Sequence, residues 1–299
     1  MKNIICICLV VLFTSYAGGA VRVVTTTQDL EYITKRVGGD LVITESLSTG
    51  KQDSHLVEPR PSMVMKLKKA DMVVKIGLDL DMWVDSLIAA ARNSKIVYGA
   101  SGYVDASLGI MLLQVPKGKI DGSMGDIHIF GNPHYWLDPD NARIIAESIY
   151  KALCLLSPEN KAEFKNNYDG FVLELEQRIA GWKKQMDALP NKKIVTYHNS
   201  WLYFAKAFGL EIIGNVEPKP GLPPTPSHIR GLIENMKAKN AKVILIESYF
   251  PIKGPQLVAE KTGAKLIIVP CSVGGLPGIK NYFDVFDYII NKLTGEIKQ

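Results

Sequence analysis

Short apolar runs rich in β-branched residues recur along the chain, each followed by a stretch with helical spacing. VRVVTTT (Val21 to Thr27) leads, a helical pattern runs to about Val37, Gly38-Gly39 interrupts it, and LVITESLS (Leu41 to Ser48) follows. DMVVKIG (Asp71 to Gly77) and SKIVYGA (Ser94 to Ala100) continue the series, with a helical stretch before each. The rhythm restarts late in the chain with KKIVTYH (Lys192 to His198), LEIIGNV (Leu210 to Val216), KVILIES (Lys242 to Ser248) and KLIIVP (Lys265 to Pro270), and a last helix is predicted from about Lys280 to Leu293. Strands alternating with helices imply parallel sheets covered on both faces. The predicted fold class is therefore α/β, with two Rossmann-like parallel-sheet lobes.

One long helical pattern separates the two series. Phe164, Tyr168, Phe171, Leu175, Ile179, Trp182, Met186 and Leu189 recur at three- and four-residue spacing, a single apolar stripe. Ser157 is placed to cap this helix, and Pro158 suits its first position. At 1.5 Å per residue, residues 158–189 would extend roughly 48 Å, long enough to join both lobes as one rigid strut. The expected organisation is a leader at 1–20, an N-terminal lobe at 21–157, the linking helix at 158–189 and a C-terminal lobe at 190–299.

The leader reads as a cleavable secretory signal peptide. Lys2 precedes an apolar run from Ile4 to Phe13, and small residues follow from Ala17 to Ala20. The run is too short to span a bilayer. Cys6 and Cys8 lie inside it, too early for a lipid-attachment cysteine, so a soluble exported protein is expected. Losing Lys2 with the leader lowers the net charge from +5 to +4. That balance, without a basic stripe carrying interleaved aromatics, excludes nucleic acid as a partner. Cys154 and Cys271 fall in different predicted lobes, which disfavours a structural disulfide.

The candidate chemistry lies in the histidines, of which there are five. His55 in KQDSHLVEPRPS precedes a helix starting near Ser62; His134 in GNPHYWLDP sits just before Asp138-Pro139; His198 ends a strand and precedes NSWLYFAKAFG. All three occupy strand-to-helix junctions, which in open parallel sheets gather at the carboxyl edge where ligands bind. Neutral imidazole is a good ligand for zinc and other borderline metals. HExxH and cysteine-pair zinc motifs are absent, and spacing alone leaves loop histidines with surface or hydrogen-bonding roles equally open.

The stretches DSHLVEPRPS, GNPHYWLDP, YHNSWLYFAKAFGL, ESYF and CSVGG, in that order, resemble the cluster A-I metal-binding proteins of ABC transporters, the zinc and manganese receptors. The similarity spans essentially the whole chain beyond the leader. It implies two α/β lobes bridged by one long rigid helix, a periplasmic receptor that is not an enzyme, and a metal held between the lobes by His55, His134 and His198. It also implies a permease in the inner membrane as partner; the receptor itself is expected to be a monomer.

Many relatives carry an aspartate in a stretch resembling DSLG where this chain has Cys271-Ser272-Val273-Gly274. Cys271 as thiolate, Glu247 from the end of its strand, or water remain as candidates for the fourth ligand. Glu247 could instead hold a ligand histidine from behind. His128 is a candidate auxiliary metal-capturing residue, and His228 is expected at the surface. The proline-rich EPKPGLPPTP (Glu217 to Pro226) is read as a stiff wall of the cleft, and Trp136 and Trp201 as packing that fixes the ligand loops. A third imidazole favours zinc, whereas harder oxygen-rich shells suit manganese. The resemblance agrees, since manganese receptors tend to carry a carboxylate where His198 stands. A three-histidine zinc hydrolase with Glu247 as base is the rival of another class.

Overall fold

The computed structural model describes residues 19–118 and 128–297, so the expected leader peptide, apart from its last two residues, lies outside the described residues. Strands β1 (Val21–Thr25), β2 (Val42–Ser46), β3 (Met72–Lys75) and β4 (Tyr103–Asp105) form a parallel sheet in the order β2-β1-β3-β4. Strands β5 (Lys193–Thr196), β6 (Glu211–Asn215), β7 (Val243–Glu247) and β8 (Lys265–Val269) form a second parallel sheet in the order β6-β5-β7-β8. The two sheets share one winding, and each belongs to one lobe.

Helices cover both faces, as buried apolar strands require. The first lobe carries α1 (Gln28–Gly38), α2 (Pro61–Lys68), α3 (Trp83–Ala91) and α4 (Asn141–Leu156). Helix α1 shows the local rules well. Thr27 Oγ1 accepts the Leu30 amide at 3.4 Å, Asp29 and Glu31 occupy the first turn, and Lys35 and Arg36 the last, all favourable to the helix dipole. The second lobe carries α6 (Leu202–Phe208), α7 (Pro226–Lys239), α8 (Lys253–Thr262) and α9 (Tyr282–Ile297).

Between the lobes runs α5 (Lys161–Asp187), 27 residues and therefore about 40 Å long. Its stripe of Phe164, Phe171, Leu175, Ile179, Trp182 and Met186 is buried. It packs on α1 and α4 of the first lobe and on α6 and α9 of the second. As a result the largest apolar core is continuous across the molecule, from Val23 and Ile33 through Phe171 and Trp182 to Phe286 and Val269. Smaller cores lie beneath the outer faces of the two sheets.

Two local expectations are corrected. SKIVYGA is not a strand: residues 94–100 form turns, with Ile96 buried and Tyr98 89% exposed. Asn93 organises the turn by donating to the carbonyls of Leu67 (2.9 Å) and Ala70 (2.7 Å), and Gly99 takes φ +84, so the edge of the sheet falls to Tyr103–Asp105 instead. Ser157 does not cap α5. Its hydroxyl donates to Glu159 Oε1 at 2.6 Å, and a 3-10 turn at Pro158–Asn160 precedes the α-helix.

The lobes meet tightly beside the cleft. Buried Asp29 of α1 accepts hydrogen bonds from Ser272 Oγ and from the Val273 amide, the latter at 3.0 Å. Burial raises the Asp29 carboxyl to about 7, partly opposed by the Val273 amide. Gly50 lies against the same loop so closely that a Cβ there would stand 2.1 Å from the Val273 carbonyl oxygen. Trp136 Nε1 donates to the Cys271 carbonyl at 2.9 Å, and Asn132 Nδ2 to the Asn199 carbonyl at 2.8 Å.

A continuous core makes the lobes one cooperative unit. Phe171, fully buried and stacked on Phe283 with ring centres 5.9 Å apart, tests this. Phe171→Ala is expected to cost about 3–5 kcal/mol. Urea unfolding should show one transition, shifted to lower denaturant; two separate transitions would mean that the lobes fold independently.

Candidate metal centre

The strand ends explain how distant residues meet. In both sheets the carboxyl ends face the cleft between the lobes, and the loops that leave them carry the polar groups. The loop after β2 brings Asp53 and His55, and that after β3 brings Asp79. The long segment after β4 brings His128 and His134, the loop after β5 brings His198, the loop after β6 carries Glu217, and β7 ends at Glu247.

One ring nitrogen of every cleft histidine is engaged by a fixed acceptor. Nδ1 of His55 donates to Asp53 Oδ1 at 2.6 Å, and Nδ1 of His134 to Asn132 Oδ1 at 3.0 Å. In both cases the same side-chain oxygen also accepts the histidine's own amide, at 2.9 and 3.0 Å. These are two copies of one turn, D-x-H and N-x-H, in which a side chain mimics the backbone and fixes the ring two residues on. Nδ1 of His198 donates to Glu217 Oε2 at 2.5 Å, and Nδ1 of His128 makes a short hydrogen bond to Asp79 Oδ1. With the Nδ1 hydrogens so engaged, the neutral rings present bare Nε2 lone pairs, as metal-ligating histidines do.

The potential donor atoms of His55, His134 and His198 lie within 4.8 Å of one another. Their ring centres stand 5.1 Å apart for His55 and His134, and 5.5 Å apart for each of the other two pairs. His134 and His198 are buried, while His55 is half-buried at the floor of a cleft of about 490 Å³ that Asp79, His128, Glu217 and Phe250 also line. The proline-rich segment thus forms a wall of the cleft, contributing Glu217, Pro220 and Gly221.

The rings differ electrically. Burial pushes the His134 imidazolium well below its ordinary 6.5, and the neighbouring histidines push the same way. Burial opposes charge on His198 too, but the hydrogen bond to Glu217 and the charges of Glu247, Glu217 and Asp53 outweigh it, so its value rises above 6.5. His134 is therefore the constitutively neutral donor, and His198 the one that a proton contests.

The remaining sequence candidates fall outside the trio. Glu247 is buried, and its Oε1 accepts from Ser200 Oγ at 2.6 Å; burial raises its carboxyl to about 7, with the Ser200 bond and His198 lowering it in part. Its Oε2 has no hydrogen-bond partner among the described residues. Cys271 is buried and free, and burial, with the charges of Glu247 and Asp29 adding, pushes its thiol well above the ordinary range; contact with Tyr249 opposes this in part. A thiol kept protonated is a poor metal ligand. Cys154 is likewise free and buried.

Trp136 and Trp201 are buried, and the Trp136 ring centre stands 5.4 Å from that of His134. His228 is half-buried rather than free at the surface, its Nε2 donating to the Asn215 carbonyl at 2.9 Å. The sequence reading missed Asp53, Asn132, Asp79 and Glu217. The D-x-H and N-x-H repeat was a usable signal for the first two. Asp79 and Glu217 lie 49 and 19 residues from their histidines and leave no local trace.

Two wound lobes, a long connecting helix and imidazoles converging between them make the frame of a binding protein, and its relatives are substrate-binding proteins of ABC transporters, so the hydrolase reading is set aside. The chain belongs to the family described as "Zinc-uptake complex component A periplasmic", which matches residues 23–295. It is 27% identical over 295 residues to the manganese ABC transporter substrate-binding lipoprotein ScaA of Streptococcus gordonii, covering 94% of this chain and 90% of that one. It is 28% identical over 287 residues to the iron ABC transporter substrate-binding lipoprotein MtsA of Streptococcus pyogenes, covering 91% and 87%. A crystal structure of ZnuA superimposes with a TM-score of 0.79 at 26% identity, covering 93% of this chain and 99% of that chain.

The histidine asymmetry is directly measurable. In nuclear magnetic resonance titrations of metal-stripped protein, His198 should gain its proton above pH 6.5 and His134 should stay neutral well below it. Glu217→Gln should lower the His198 value, because burial then meets less opposition. An unmoved His198 would contradict the role given to Glu217.

Proposed function

We propose that this protein is an extracytoplasmic receptor that captures zinc in the cleft through His55, His134 and His198 and delivers it to an ABC permease in the inner membrane. The observation that carries this reading is the convergence of three imidazoles from separate loops, with donor atoms within 4.8 Å and each Nδ1 tied back to an acceptor. Zinc follows from the donor type: three nitrogen donors with no carboxylate among them suit a borderline ion better than manganese. A second reading, in which manganese or iron is the cargo, takes its support from the names of the relatives ScaA and MtsA.

On this reading the lobes are 21–157 and 190–299, joined by 158–189. The leader at 1–20 directs export to the periplasm. No helix among the described residues is long and apolar enough to cross a membrane. The continuous core disfavours wide hinge closure, so the ion enters and leaves through motion of the cleft loops or a slight tilt of the lobes.

Proton competition follows from the ring environments. A metal needs the neutral imidazole, so capture near neutral pH displaces the His198 proton. Affinity then falls with decreasing pH, beginning higher than an unperturbed imidazole at 6.5 would give, because the His198 value is raised.

Calorimetry on stripped protein should show one tight zinc site, with manganese bound more weakly. His134→Ala removes a buried donor outright, so its loss should exceed the roughly 10–100-fold typical of an outer partner. Undiminished zinc affinity in His134→Ala would reject the site, and tighter binding of manganese than zinc would reject the cargo.

A further inference from the structure

His128 stands beside the trio without belonging to it. Its Nε2 lies 3.0 Å from Nε2 of His55, and the two ring centres are 5.0 Å apart. Both rings are held from behind by carboxylates, His55 by Asp53 and His128 by Asp79. A carboxylate only accepts, so each Nδ1 carries the hydrogen, and in a neutral ring Nε2 is then a bare lone pair. Two such lone pairs directed at one another repel. A cation shared between them, either a proton or a metal ion, turns the contact into an attraction.

Asp79 is built to hold this pose. Its backbone is left-handed, at φ 62, and its second oxygen accepts the Ile129 amide at 3.1 Å, so one carboxylate grips both the ring and the chain that follows it. Such two-point fixing resembles that of His55 by Asp53, although the partners come from different loops.

The geometry points to a metal rather than a proton. Zinc–imidazole bonds of 2.0–2.1 Å arranged on a tetrahedron place neighbouring nitrogens about 3.3 Å apart and neighbouring ring centres about 5 Å apart. The observed centres are 5.0 Å for His55 and His128, 5.1 Å for His55 and His134, and 5.5 Å for the two pairs made by His198. The His128 and His134 centres are 6.2 Å apart, wider than such a shell, so His128 must move toward the trio on coordination. Glu247 spends one oxygen on Ser200, and His128, which like Glu247 and Cys271 lies outside the compact donor group, has its Nε2 3.0 Å from that of His55.

We infer that His128, positioned by Asp79, is the fourth donor to the ion held by His55, His134 and His198, completing a shell made only of imidazoles. This rests on the receptor reading above. It assigns to a nitrogen the place that Cys271, Glu247 or water would otherwise take, and an all-nitrogen shell deepens the preference for zinc over manganese.

X-ray absorption at the zinc edge, on the purified protein carrying one equivalent of zinc, reads the donors directly. Four imidazoles are expected in the wild type, and three plus an oxygen in His128→Ala. Chelator competition should show zinc binding weakened about 10–100-fold in His128→Ala, and about tenfold in Asp79→Ala, which keeps the ring but removes its anchor. Glu247→Gln should leave the imidazole count at four. A wild-type shell of three imidazoles, with affinity unchanged in His128→Ala, overturns this inference and leaves the receptor reading standing. A wild type that binds no zinc overturns both.

Discussion

Each imidazole in the cleft has its Nδ1 hydrogen tied to a fixed acceptor, and the rest of the site depends on that constraint. A free histidine spins about two bonds and exchanges between tautomers. Here Asp53, Asn132, Glu217 and Asp79 select one tautomer and one orientation for His55, His134, His198 and His128. The Nε2 lone pairs are thereby set before any ion arrives, and less ordering is left to oppose binding. Three of the four acceptors are carboxylates, which also supply negative potential around a divalent cation. His134, backed by a neutral amide and deeply buried, is kept uncharged by its surroundings instead.

Holding those acceptors in place is the task of the fold. The two sheets turn their carboxyl ends toward one cleft, so residues from the ends of six different strands meet there. Helix α5 and the core that runs through it fix one lobe against the other. Asp29 ties α1 to the loop after β8, and Trp136 ties the His134 loop to Cys271. In such a frame a displacement of the lobes would disturb packed side chains along the whole interface, whereas the cleft loops can move at smaller cost.

Much of this architecture was legible in the sequence because it rests on periodicity. Seven of the eight strands announce themselves as apolar β-branched runs, and the α5 stripe is continuous at helical spacing. The histidine positions were legible because strand-to-helix junctions have a known place in parallel sheets. What escaped were features set by tertiary contact. SKIVYGA has strand composition, yet Asn93 and Gly99 impose turns on it. Ser157 has a capping residue's chemistry but spends its hydroxyl on Glu159. Asp79 and Glu217 are ordinary acidic residues until the fold brings them behind His128 and His198. The D-x-H and N-x-H turns occupy the middle ground, local enough to be read from the text once their purpose is known.

The central claim is that pre-oriented Nε2 atoms of His55, His134 and His198 share one zinc ion between the lobes. Anomalous diffraction at the zinc absorption edge, from crystals of protein purified without added metal, tests it most directly. The expected result is a single strong peak in the cleft, about 2.0–2.1 Å from those three Nε2 atoms, with every Nδ1 still on its acceptor. A cleft without a peak, or an ion bound through Nδ1 or through the carboxylates behind the rings, would contradict the account.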